Sequence, residues 1–142
     1  MLPAPLPLPA DAVALLPSLV QHSPDLILCF DAQDRHTFLN PAALRETGHT
    51  AAACLGRRLD EVRPFGATGT VALLAAVRQA DQDDAAQVRF ELAWRDAAER
   101  PRWHVCWLWR EPGGGRLLIA RDITEHRLAE QALQLREREF RT

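Results

Sequence analysis

The chain contains no lysine, and all seventeen of its basic residues are arginine. Beside abundant alanine, that absence marks a GC-rich coding bias rather than a function. Nineteen acidic residues bring the formal net charge to -2. No basic stripe exists of the kind that neutralises phosphates, so a nucleic-acid partner is excluded. Cysteine is scarce as well. Cys29, Cys54 and Cys106 are odd in number and far apart, with no C-x-x-C or Cys/His ligand spacing. This excludes a zinc site or a disulfide framework and agrees with a reduced, cytoplasmic chain. No run of about twenty apolar residues occurs, so nothing in the sequence inserts into a membrane. Catalytic patterns are missing too. No Ser/His/Asp ordering has supporting context, and Gly113 to Gly115 sit in a hairpin turn rather than a phosphate loop. The five histidines, His22, His36, His49, His104 and His126, are scattered, and His126 lies outside any phosphoacceptor box.

What remains is ordinary globular chemistry, 47% hydrophobic and 25% charged over 142 residues, enough for one core. Residues 1–10 carry proline at every second position from Pro3 to Pro9 and no basic start, which reads as a disordered, polyproline-like leader rather than a signal peptide. A helix follows over 11–22. Val13, Leu16 and Val20 with Leu15 and Leu19 form its stripe, Asp11 is its expected N-cap, and Pro17 should kink or divide it.

The run LILCF (Leu26 to Phe30) is a short apolar strand, DAQDRH a turn, and TFLN a second strand. Asn40 as N-cap, Pro41 at the first helical position and Gly48 as terminator then bound a short helix. From His49 to Gly69 the pattern is irregular, with one or two helical turns in LGRRLDEV. Thr70 to Ala80 is a helix with Val71, Leu74 and Val77 along one side. Three antiparallel strands follow. In the first, Val88, Phe90, Leu92 and Trp94 share a face, with Arg89 and Glu91 opposite. In the second, Trp103, Val105, Trp107 and Trp109 oppose His104, Cys106 and Leu108. The last runs through RLLIARDI. The order predicts an α+β domain, a five-stranded antiparallel sheet with helices on one face. Its last two strands are apolar on both sides, so the N-terminal helix or a partner subunit should cover the outer one.

Four pieces, SPDLILCFDAQDRHTFLNPAALRETG, CLGRRLDEV, RWHVCWLW and RDITEHRLAEQAL, in this order and spacing resemble the PAS sensory domain family. The resemblance runs from about Leu19 to the end, and the D-I-T-E-x-R-x-x-E stretch after the last strand is its most specific element. It implies strand order 2-1-5-4-3, a pocket between sheet and helices, and a sensory domain spanning 11–124. It also implies a regulatory, non-catalytic role, with a diguanylate cyclase or sensor histidine kinase as output. In tandem members an E-x-x-F-R-x stretch leads into L-V-x-x-S-P-D. This chain has LVQHSPD at Leu19 to Asp25 and REREFRT at its end, which suggests a downstream PAS or effector domain.

For the pocket, the expected lining is Leu28, Phe30, Leu39, Leu44, Phe65, Leu74, Val88, Phe90 and Trp107, with His36 outward and solvated. The cofactor stays open. Haem-binding members place a His on the helix corresponding to Thr70–Ala80, which holds no His, Cys or Met, so haem is disfavoured. Blue-light flavin members carry Cys in N-C-R-F-L-Q, where this chain has Leu59, which disfavours covalent flavin photochemistry. Cys54 reads as a small buried hydrophobe. His104 and Cys106 share a strand face, but two ligands without a third are ordinary strand residues. A non-covalent flavin or a small apolar ligand remains open. Trp103, Trp107 and Trp109, grouped on one face with Trp94, serve either core or dimer packing or stacking on such a ligand.

The C-terminal segment 125–142 shows a narrow seam of Leu128, Ala132 and Leu135, with Ala129, Leu133 and Phe140, among Glu and Arg. That pattern suits a two-helix coiled coil, and hence a homodimer whose helix pair acts as a lever. The plainer account is a surface helix folded back on its own sheet. Asp122, Ile123 and Thr124 form the joint. Asp122 or Thr124 should cap the helix, an Asp122–Arg127 ion pair is within reach, and by resemblance this triplet transmits the signal. The alternative from another class is a ligand-free homodimerisation or protein-interaction module.

Overall fold

Among the described residues the apolar and alternating runs become five strands, with three helices between them and one at each end. The computed structural model describes residues 8–141, so most of the proline-rich leader lies outside the described residues. In chain order the elements are α1 (Ala10–His22), β1 (Leu26–Phe30), β2 (His36–Leu39), α2 (Pro41–Thr47), α3 (Ala51–Cys54), α4 (Gly66–Gln82), β3 (Gln87–Arg95), β4 (Pro101–Arg110), β5 (Arg116–Asp122) and α5 (Thr124–Arg141). The strands pair antiparallel in the order β2-β1-β5-β4-β3.

Local chemistry sets most boundaries. The Asn40 side chain accepts the Ala43 N–H at 3.0 Å, Pro41 opens α2, and Gly48 closes it at φ 75°, donating its N–H to the Leu44 carbonyl. Two details of α1 differ from the sequence expectation. Its N-cap is Pro9 and not Asp11, which sits in the first turn, where a negative charge suits the helix dipole. The helix also runs through Pro17 unbroken. No α1 residue is buried, so the carbonyl that Pro17 leaves without a donor is open to water. Between His49 and Gly69 the helical turn falls at α3, capped by Thr50, rather than within LGRRLDEV. α4 starts earlier than its apolar pattern, at Gly66.

The core lies between the inner sheet face and α3, α4 and the segment joining them. Leu28, Phe30, Leu59, Phe65, Leu73, Leu108 and Leu118 are all at most 2% exposed. Burying each such side chain contributes about 1.5–3 kcal/mol. The buried face of α4 is Gly69, Thr70, Leu73, Ala76, Val77 and Ala80. This corrects the expected stripe: Val71 points to solvent, and Leu73 is the buried leucine. Small residues win this face because they bring the helix close to the sheet. A Cβ at Gly69 would collide with Phe65.

The outer sheet face carries Trp103, Trp107 and Trp109, all half-buried. α1 packs chiefly on α2 instead of across this face, and keeps Leu15, Leu16 and Leu19 exposed. At the opposite end from α5, Arg116 pins the sheet to α4. Its guanidinium reaches Asp34 at 3.0 Å and Asp81 at 2.8 Å, holding the β1–β2 turn against the helix.

Candidate functional site

The register of β3 on β4 decides which side chains can meet in the interior. Phe90 pairs with Cys106, Val88 with Leu108 and Leu92 with His104, all facing the helices. Trp107 pairs with Arg89 and Ile119, and therefore lies on the outer face under the Arg121 guanidinium, 5.7 Å from the ring. Its expected place in the pocket is corrected accordingly. Trp94 is likewise separated from the other tryptophans: it faces inward, edge-on to Phe65 at 5.1 Å.

The structure brings the remaining pocket candidates together. Leu28, Phe30, Leu39, Phe65 and Val88 belong to one buried cluster, with Leu44, Leu74 and Phe90 packed at its margin. These side chains fill the interior against one another and against Leu73, Leu108 and Leu118. A cleft of about 100 Å³ opens beside them, between Leu59, Leu74 and Val77 and a polar mouth of Asp34, Arg58, Asp60 and Arg78. Leu59 is fully buried at its base.

His36 is not solvated. A register shift at Cys29/Phe30 sets it opposite Phe30 on the inner face, where it is 1% exposed. Its Nε2 lies 3.3 Å from the Val62 carbonyl, and burial lowers its pKa below the ordinary 6.5. Cys54 and Cys106 are buried thiols. Burial raises the first and pushes the second up to about 12, so neither is a thiolate nucleophile.

The joint between β5 and α5 is the second assembly. Asp122 Oδ1 accepts the Thr124 N–H at 2.8 Å and the Thr124 hydroxyl, so Asp122 caps the helix. Thr124 does something else. Its Oγ1 accepts the Trp103 N–H at 3.0 Å, while Ile123 donates to the Trp103 carbonyl at 2.8 Å. The start of α5 is thus tied to β4. Asp122 pairs with Arg102 at 3.1 Å, and Arg127 pairs with Glu91 at 2.9 Å, which corrects the expected Asp122–Arg127 bridge. Burial opposes the Asp122 charge, but Thr124, His104 and Arg102 outweigh it and hold the carboxyl below its ordinary value. Next to Asp122 across the strands is His104, fully buried, whose Nδ1 accepts the Trp94 indole N–H at 2.9 Å. Sequence reasoning found Asp122 and Thr124, weighed Trp94 only for packing or stacking and His104 only as a metal ligand, and missed Arg102. The one legible sign of Arg102 and His104 was two polar residues two apart at the start of β4.

Past Arg127 every described residue of α5 is exposed, including Leu128, Ala132 and Leu135. The helix does not fold back on its own sheet.

Comparison with known proteins places this geometry. No curated protein matches the chain. Among solved structures it is similar to a PAS domain from Colwellia psychrerythraea, with 18% identity and TM-score 0.65 over 81% of this chain and 99% of that one. It is also similar to a domain of a sensory box sensor histidine kinase/response regulator from Geobacter sulfurreducens, with 21% identity and TM-score 0.60 over 78% and 94%. A third is the PAS domain of the Cronobacter turicensis RpfR quorum-sensing receptor in complex with BDSF, with 14% identity and TM-score 0.60 over 74% and 99%. The family model described as the PAS fold matches residues 20–128, more than half of the chain, and with the 2-1-5-4-3 sheet and the capped exit helix this chain belongs to the PAS fold family.

Proposed function

We propose that this PAS domain is the cytoplasmic, regulatory input of a bacterial signal-transduction protein. Its output is a diguanylate cyclase or a sensor histidine kinase, reached directly or through a further PAS domain. Residues 11–124 form the sensory unit and 125–142 the linker. A change at the pocket or the dimer interface passes through Asp122, Ile123 and Thr124 into α5. The observation that carries this reading is the double tie of the joint to Trp103, on a strand whose neighbouring residue His104 faces the interior. A movement of β4 has to move the first turn of α5. The exposed Leu128, Ala132 and Leu135 seam supports a homodimeric helix pair as the receiver. The similar domains from a sensor kinase and a quorum-sensing receptor support the signalling context.

A chain ending before Glu125 is expected to self-associate at least about tenfold more weakly than the full chain, a loss of about 1.4 kcal/mol. Light scattering over a concentration series reads this, and an unchanged dimer would remove the lever.

The filled interior favours a second reading, a ligand-free homodimerisation or protein-interaction module. Native against denaturing mass spectrometry on protein from its own host separates the two. An adduct of a few hundred daltons, a non-covalent flavin or a small apolar molecule, is the expected result for a sensor. A dimer mass without adduct supports the module.

A further inference from the structure

We propose that the Trp94–His104 hydrogen bond is a proton-operated latch on the β5–α5 joint, so that acidification loosens the start of α5. The inference rests on the joint being the exit route of the signal, and names protons as one input to it.

The polarity of the bond carries the argument. An indole nitrogen can only donate, so His104 Nδ1, 2.9 Å from Trp94 Nε1, must be bare. The ring proton therefore sits on Nε2, which meets no hydrogen-bond partner among the described residues. A further proton from solvent can go only to Nδ1. It turns the acceptor into a donor, sets N–H against N–H, and breaks the bond to Trp94. The freed indole is buried, and an unpaired buried donor is costly, so Trp94 must move. Trp94 packs on Phe65, which immediately precedes α4.

The second consequence is electrostatic. Asp122 is the direct cross-strand neighbour of His104 on the same face, a pairing that sets Cβ atoms about 5 Å apart. Its Oδ1 holds the Thr124 amide and hydroxyl, and its Oδ2 holds Arg102. A charge on the imidazole competes with both for the same carboxylate.

The surroundings fix the direction. Asp122 from β5 and Asp25 from the α1–β1 connection favour the imidazolium, while Arg102 on the same strand opposes it. Arg102 is itself shared among Asp96, Glu46 and Asp122. β3 presents the uncharged Leu92 and Trp94, the buried face of α4 carries no charge, and Cys106 stays a thiol. Burial dominates and holds the ring neutral below the ordinary 6.5. The stabilisation from the neutral ring is therefore whole above pH 6.5 and is lost as pH falls through the lower folded value. His36 shifts the same way, so bulk acid stability does not isolate His104.

The test is an NMR titration of the whole chain from about pH 8 down through the folded His104 transition, to about pH 3.5 if needed. It follows the Trp94 indole N–H and the exchange of the Ile123 and Thr124 amides, corrected for intrinsic rates. In one transition the indole resonance is expected to move and the two amides to lose about tenfold protection. His104→Gln keeps an acceptor for Trp94 but cannot charge, and should flatten both responses while His36 still titrates. Trp94→Phe keeps a ring and drops the donor, and should lower protection at the joint already at about pH 8. Indole and joint amides that stay fixed through the titration, or a transition that survives in His104→Gln, would overturn the latch. Thr124→Val separates this from failure of the joint itself. If that variant strips protection from the Arg127 amide while acid does not, the latch falls and the joint stands. If neither does, both fall.

Discussion

Asn40→Ala is expected to lose about 3–4 kcal/mol of folding stability, far more than an ordinary helix cap. Its side chain is fully buried and makes four hydrogen bonds. It accepts the Ile27 N–H and the Ala43 N–H, both at 3.0 Å, and donates to the carbonyls of Val20 at 3.2 Å and Asp25 at 2.9 Å. One amide thus joins the end of α1, the start of β1 and the first turn of α2. The cap alone accounts for about 1 kcal/mol. The rest comes from leaving the Ile27 donor and two carbonyls unpaired, at about 1 kcal/mol each. Asn40→Asp keeps both acceptor bonds and sets a carboxylate against the two carbonyls, so an intermediate loss of about 2 kcal/mol is expected. Urea unfolding with the slope held constant reads the difference. An alanine variant within about 0.5 kcal/mol of the parent would show that water replaces the side chain.

Arg102→Met should cost about 2–3 kcal/mol, because it takes from Asp96 its closest charged partner and leaves only Arg100 at 3.7 Å and two backbone amides. The Asp96 side chain is 4% exposed and receives Arg102 Nε at 2.8 Å. Burial alone would raise its carboxyl. Hydrogen bonds from Arg102 and from the Arg100 and Ala98 amides instead hold it below the ordinary 3.8. A carboxyl held low stabilises the fold above pH 3.8, and that contribution is lost as pH falls through the folded value. Asp96's part of the parent's acid limb should therefore lie below pH 3.8, beneath the earlier losses from His36 and His104, and removing Arg102 should move that part upward. Denaturant unfolding in steps from about pH 6 to about pH 2 tests this, and parallel limbs in the two proteins would refute it. Because Arg102 also holds Asp122, the same variant should loosen the joint.

Element identity was legible in the sequence because each segment carries its own punctuation. Asn40-Pro41 with Gly48 bounds α2, and the alternation from Val88 to Trp94 defines β3. Phase between elements was not. β4 is apolar on both sides, so period two separates Trp107 from Leu108 without saying which faces the helices. Only pairing with β3 settles that. The shift at Cys29/Phe30 turns His36 inward, and nothing in TFLN announces it. α4 offers two stripes. Val77 belongs to both, Val71 and Leu74 lead one and Leu73 the other, and the Leu73 face is buried because its Gly69, Thr70 and Ala76 let the helix approach the sheet closely. At the joint, Asp122 and Thr124 could be named from their capping chemistry. Arg102 and His104 could not, since each acts across a strand pair whose register was unknown.

The sheet order carries a consequence for how the chain reaches this state. Its centre is the β1–β5 ladder, in which Leu26 meets Ala120, so the middle of the sheet joins the two most distant parts of the domain. The β1–β2, β3–β4 and β4–β5 pairs are all local, but β1 keeps an open edge until β5 inserts beside it. On a ribosome that insertion waits until Asp122 has left the exit tunnel. The DIT triplet, proposed above as the outlet of the signal, is then also the point at which synthesis first permits the domain to be finished.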